Sequence, residues 1–164
     1  MPADDIRDQL VKYLTDVHST EENAIKQLET GSEAVEDPRL AQVLREHLTE
    51  TRVHERLVRE RLDAHDASPS TLKDVAQKGM AAVTGAVSGA APDTTGKIAI
   101  QAYATEALEI ASYKSLRRVA ELAGDRETAA VAEQILAQER SAADKLDALM
   151  EEAATIGLPQ STVS

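Results

Sequence analysis

A chain of 164 residues, 42% hydrophobic and dominated by Ala, Leu, Glu, Arg and Val, can bury one helical core and suits a single domain over 1–164. Its net charge of −11, with no basic face, argues against a nucleic-acid partner, and the lack of cysteine excludes disulfides, thiolate catalysis and Cys-ligated metal. No apolar run approaches a membrane span and "MPADDIRDQL" lacks the regions of a signal peptide, so the expectation is a soluble, cytoplasmic protein with no membrane partner.

The first helix is expected over about residues 5–29, capped by Asp4 or Asp5 and ended by Gly31. Its apolar stripe is Leu10, Leu14, Val17, Ala24, Ile25 and Leu28, with Glu21 at the centre and His18 at the edge. Asp37 as N-cap and Pro38 as first helical residue open a second helix to about residue 65. Its stripe is Leu40, Val43, Leu44, His47, Thr51, His54, Leu57 and Val58, with Glu50 at the edge beside both histidines.

A small-residue-rich stretch follows, over about 66–95, in which a short helix near Leu72 to Val83 is expected; it is too short for a core of its own and reads as a crossover. The third helix spans about 96–123, with a stripe of Ala99, Ala102, Tyr103, Glu106, Ile110, Tyr113 and Leu116, and Glu109 beside Tyr113. The fourth spans about 126–155, capped by Asp125, with Ala132, Ile135, Glu139, Ala142, Leu146 and Met150 in line and Glu133, Glu151 and Glu152 off it. "STVS" is expected to be a frayed tail. Two short connections and one long one make an all-α, ferritin-like four-helix bundle with a long crossover between its second and third helices.

Every helix thus sets a carboxylate in its own apolar stripe. A buried, unpaired carboxylate costs several kcal/mol, roughly, and a cluster repels itself. Arg52, Arg56 and Arg59 lie mostly on other faces, and Arg117 is the one cation placed to help. A metal ion resolves the conflict, and mixed carboxylate and imidazole ligands suit iron or manganese, and zinc less specifically. Tyr103 and Tyr113 are placed to donate hydrogen bonds to the ligating carboxylates. A water-filled polar layer is the competing reading for Glu21, Glu106 and Glu139, and ordinary buried histidine for His47 and His54.

"LTDVHSTEENAIKQL", "REHLTET", "ATEALEIASYKSL" and "ILAQERSAADKL", in this order, resemble the YciE/YciF-like ferritin-like proteins. The resemblance implies a rubrerythrin-related bundle, a homodimer, and a bacterial stress-associated role. Carried over by position, it implies ligands at Glu21, His47 or Glu50, Glu106, Glu109 and Glu139. The chain departs from the general ferritin-like Glu-x-x-His pattern: Val53 stands three residues after Glu50, and Ala142 three after Glu139. The second helix offers His47-x-x-Glu50 and Glu50-x-x-x-His54 instead, and the fourth offers no histidine. The expected metal set is therefore Glu21, His47, Glu50, His54, Glu106, Glu109 and Glu139, holding two iron ions, with Mn or Zn as alternatives.

The function expected is a di-iron protein handling iron or reduced oxygen under stress, with peroxide or dioxygen as partner and ferroxidase- or peroxidase-type chemistry. Two other readings stand beside it: a metal-free or structural-metal interaction protein, and a manganese catalase-like enzyme.

Overall fold

The structure, a computed structural model, describes residues 3–67 and 94–157, with side chains from residue 5. Most of the expected crossover, with the helix near Leu72 to Val83, and the STVS tail lie outside the described residues. Four helices make up the rest: α1 (Ala3–Ala34), α2 (Pro38–Ala64), α3 (Thr95–Ala123) and α4 (Arg126–Thr155). Among the described residues there is no strand, and no helix is long and apolar enough to cross a membrane.

Helix boundaries follow local chemistry at most ends. Asp37 caps α2 by accepting from the amides of Arg39 and Leu40, with Pro38 in the first turn. Thr94 caps α3 through the Lys97 amide, and Gly124 ends it in the left-handed region at φ 75°, which glycine adopts without steric cost. Asp125 then caps α4 through the Thr128 amide. The first helix departs from expectation at both ends. It begins at Ala3, ahead of Asp4 and Asp5, and it runs through Gly31 to Ala34. Gly31 serves close packing, not termination: a Cβ there would meet Ile98 Cγ2 at 3.2 Å and Leu44 Cδ1 at 3.7 Å.

Helix α1 packs on α2 and α3, and α4 packs on α3 and α2. The C-terminal end of α2 meets the start of α4 where Arg61 and His65 reach Asp125, and the end of α1 meets the start of α3 where the Glu36 amide donates to Thr95. Neighbours are therefore antiparallel, α2 and α3 run in the same direction, and residues 67 and 94 lie at opposite ends of the bundle. This is the long-crossover, ferritin-like arrangement.

The core is divided along the bundle axis. One apolar cluster includes Leu10, Leu14, Val58, Leu62, Leu116 and Ile135; the other includes Leu28, Leu40, Leu44, Ile98 and Leu146. On every helix a polar layer falls between them, at residue 21, 47–54, 106–109 and 139. Two dry plugs thus hold a charged layer out of water.

Candidate metal centre

Glu21, His47, His54, Glu106, Glu109 and Glu139 are all at most 3% exposed. Each occupies a register position that helix geometry turns toward the axis. His47 and His54 are seven residues apart, which returns the helix to nearly the same face after two turns. Glu106 and Glu109 sit one turn apart on α3, and α1 and α4 contribute Glu21 and Glu139.

The ligand atoms converge on two overlapping spaces. Those of His47, Glu106, Glu109 and Glu139 lie within 4.8 Å of one another, and so do those of Glu21, His54 and Glu139. Glu139 belongs to both sets, so its two oxygens face different partners. Its Oε2 lies 3.3 Å from His47 Nε2, and its Oε1 lies 2.7 Å from His54 Nδ1. His47 Nε2 is 3.0 Å from Glu106 Oε2, and His54 Nδ1 is 3.8 Å from Glu21 Oε2. These approaches lack hydrogen-bond geometry: His47 Nε2, His54 Nδ1, Glu21 Oε2, Glu106 Oε2 and both oxygens of Glu109 and of Glu139 are buried without a hydrogen-bond partner. Buried polar atoms in native proteins are overwhelmingly paired, so an inward-facing set of orphans marks missing chemistry. Two ligand atoms about 2.1 Å from one ion, at right angles, lie about 3 Å apart. The separations of 2.7, 3.0 and 3.3 Å fit that spacing, and the 3.8 Å from His54 to Glu21 is wider.

The outward atoms are held in place. Gln138 Oε1 lies 3.1 Å from His54 Nε2, and Glu50 Oε2 lies 3.2 Å from His47 Nδ1. A neutral ring with its proton on the outer nitrogen would present the inner one as a lone pair, the state a metal ligand needs. The Tyr113 hydroxyl donates to Glu21 Oε1 and leaves Oε2 turned inward.

Electrostatics show the strain of this assembly. Burial, then the charge of Glu139, hold the Glu21 carboxyl well above the ordinary carboxylate range, against the Tyr113 hydrogen bond. Burial and the neighbouring Glu21, Glu139 and Glu106 do the same to Glu109. Burial lifts Glu106 to about 8, although His47 opposes it. Of the four buried carboxyls Glu139 alone is depressed: burial raises it, but His47, His54 and Glu106 together outweigh burial. Burial would lower His47, yet Glu106 and Glu139 drive it up to about 11. Burial and Glu21 raise the Tyr113 phenol.

Six of the seven expected ligand positions therefore meet in the chamber. Glu50 does not reach it; its side chain is 34% exposed and touches His47 from outside. Tyr103 is also misplaced by the sequence reading: it is 38% exposed on the outer surface, while Tyr113 alone reaches a ligand-position carboxylate. The reason is geometric. Tyr103 and Glu109 flank Glu106 by about 60° on opposite sides, and the bundle axis lies on the side of Glu109. Arg117 pairs with Glu133 and Glu121 at the surface and gives the cluster no cation. His18 is buried against Glu55 at 2.9 Å, and His65 binds Asp125 at 2.7 Å; neither joins the centre. Gln138 was missed, because a glutamine at a stripe edge carries no periodic signal.

The sequence profile of the family described as "Domain of unknown function (DUF892)" matches residues 5–158. The chain belongs to this family. Among solved structures, a protein from Xanthomonas campestris pv. campestris is 27% identical with a TM-score of 0.74, the match covering 92% of this chain and 94% of that one. The E. coli stress protein YciF is 21% identical, TM-score 0.70, covering 92% and 98%. A structure of ferritin-like, diiron-carboxylate proteins from Bacillus anthracis is 15% identical, TM-score 0.69, covering 88% and 97%. The family match and the YciF likeness bear out the resemblance to YciE/YciF-like proteins, and the shared fold is ferritin-like.

Proposed function

We propose that this member of the DUF892 family holds two transition-metal ions, iron by preference, between its four helices, and handles iron or reduced oxygen species in a cytoplasmic stress response. Glu139 is the proposed shared ligand, with His47, Glu106 and Glu109 on one side of it and Glu21 and His54 on the other. Glu50 and Gln138 orient the two imidazoles, and Tyr113 orients Glu21. The apolar plugs exclude bulk water from both ends. Ions bound there would supply redox chemistry toward peroxide or dioxygen. Manganese accepts the same ligand types, and zinc does so less specifically. The observation that carries the reading is the set of unpaired, inward-facing atoms contributed by all four helices. The likeness to a structure titled diiron-carboxylate supports it at the level of the fold. Assembly as a homodimer is part of the proposal, and the exposed Ile100, Tyr103 and Leu122 on α3 support it.

Elemental analysis tests the centre directly. Protein purified without chelators should carry one to two equivalents of iron or manganese per chain, on the order expected for a two-ion carboxylate site. One feature favours a metal-free reading: His47 lies within 3.3 Å of both Glu106 and Glu139, and a protonated ring partly neutralises them. A preparation that carries no transition metal and takes up no added Fe(II) would establish that reading in place of the first. Light scattering checks the dimer; a monomer in solution would remove it.

A further inference from the structure

A cavity of about 350 Å³ opens between α1 and α3, outside the ligand cluster but sharing one residue with it. Its walls are Leu28, Leu44, Ile98 and Ala102, and Gly31 supplies the space that a side chain would fill. Its polar lip is formed by Lys26, Gln27 and Thr105, whose hydroxyl donates to Gln27 Oε1 at 3.0 Å. Its floor is the carboxyl of Glu106, 1% exposed, whose Oε2 is turned to His47 at 3.0 Å. The cavity falls within the size range of small-molecule sites, and it combines apolar walls with one convergent polar group, as such sites do.

The polarity of the floor restricts the occupant. Glu109 and Glu139 lie just behind Glu106, so an anionic end reaching the floor would be repelled. A cationic end would leave water for walls that offer it one partner. A neutral hydroxyl can donate to or accept from a carboxyl in either protonation state, and it leaves the rest of the molecule against Leu, Ile and Ala. We propose that the α1–α3 cavity binds a small neutral organic molecule with an apolar body and a single hydroxyl, placing that hydroxyl at Glu106 beside the metal centre. The proposal rests on the metal reading for its significance, since it brings an organic ligand to the proposed site. Its binding test does not need the metal.

The probe is 1-hexanol, followed by saturation-transfer NMR on the full chain, both with chelator and after Fe(II) loading under anaerobic conditions. The expected result is saturable binding of one hexanol per chain in the chelated protein, competed by other neutral alkyl alcohols and not by hexanoate. Ala102→Leu, which fills the cavity from a half-buried position one turn from Glu106, should weaken binding by about tenfold or more while metal uptake stays at the wild-type level. Ala130→Leu, exposed on α4, should leave both unchanged. If Ala102→Leu fails to fold, hexanol competition by hexanoate still decides the polarity argument. Hexanol binding without metal uptake would keep this proposal and sink the metal reading; metal uptake without saturable hexanol binding would do the reverse. Absence of hexanol binding together with a change in oligomeric state in Ala102→Leu would assign the cavity to a second copy of the chain and overturn the proposal. So would slower peroxide consumption in that variant without hexanol binding, which would make the cavity a passage for the oxidant.

Discussion

Glu109 and Glu139 have the same carboxyl group in opposite surroundings. Glu139 lies between two imidazoles, at 3.3 and 2.7 Å, whereas Glu109, within 4.8 Å of His47, makes no ion pair among the described residues. Their carboxyls accordingly shift in opposite directions. Removing Glu109 takes an uncompensated group out of a dry core, so Glu109→Leu should stabilise the metal-free protein, by about 1–4 kcal/mol. Removing Glu139 strands two imidazoles, so Glu139→Leu should destabilise it by about 3–5 kcal/mol. Both variants should lose most metal uptake. Exposed Glu133→Leu, which breaks a surface pair with Arg117, should change stability by about 0–1 kcal/mol and leave metal uptake intact. Urea unfolding in chelator, with elemental analysis, reads all three; a like shift in Glu109→Leu and Glu139→Leu would refute the assignment of roles. Tyr113→Phe should cost about 1–3 kcal/mol in the same assay, because Glu21 Oε1 loses its Tyr113 donor in a buried layer. Glu21, Glu106, Glu139, His47 and His54 were legible in the sequence because each sits where a stripe should be apolar. Which flank of Glu106 faces inward was not, since period fixes a face only to within the width of the stripe. The axis that selects Glu109 over Tyr103 is set by the other three helices.

The elements show the same division between local and tertiary information. The starts of α2 and α4 are encoded by Asp37-Pro38 and Asp125, and the end of α3 by Gly124, all within a few residues of the boundary they set. Gly31 looks like the same kind of terminator, but its role depends on Ile98 and Leu44, far away in sequence. No local rule distinguishes a glycine that ends a helix from one that lets another helix come close. Asp125 joins both kinds of information. It caps α4 through the Thr128 amide at 2.9 Å and also receives Arg61 and His65 from the far end of α2. Its carboxyl is depressed despite burial, because Thr128, His65 and Arg61 all favour the charged form. Asp125→Ala should therefore lose the cap, worth about 1–2 kcal/mol, and the tie to α2 as well. Asp125→Asn keeps a good cap and loses only the charge-assisted part. Thermal melts should order the stabilities wild type, Asp125→Asn, Asp125→Ala. Equal losses in the two variants would show that the tie to α2, and not the cap, is what Asp125 contributes. Metal uptake should be unchanged in both, since the polar layer lies several turns away.

At the scale of the whole molecule, the polar layer makes stability a function of pH and metal together. Glu21, Glu106 and Glu109 have folded pKa values raised above their ordinary ones. A raised carboxyl opposes folding where the unfolded form is ionised: the penalty is absent below about pH 4.5 and, for Glu106, complete above about pH 8. His47 is raised too, but for a base the sign differs. Its contribution is fully present below its ordinary value of 6.5 and is lost as pH rises toward about 11. Glu139, depressed, contributes above its ordinary value of 4.5 and loses that contribution as pH falls through its folded value. Between pH 5 and 8 the raised groups act in one direction, and the self-repulsion of a chain carrying −11 adds to them. Metal-free protein should therefore be most stable near pH 5 and lose stability steadily toward pH 8. Bound metal opposes this trend, because ligation holds the carboxylates charged and releases their protons, so affinity rises with pH. At a hundredfold excess of free metal over Kd the added stability is about 2.7 kcal/mol. Scanning calorimetry from pH 5 to 8, with chelator and with Fe(II) under nitrogen, should give a falling line for the first series and a flatter one for the second. The gap between them should widen toward pH 8. In Glu109→Leu the chelated series should fall less steeply, since the variant lacks one of the groups that must give up a proton. If the two wild-type series instead run parallel, metal is binding somewhere other than the carboxylates of the buried layer.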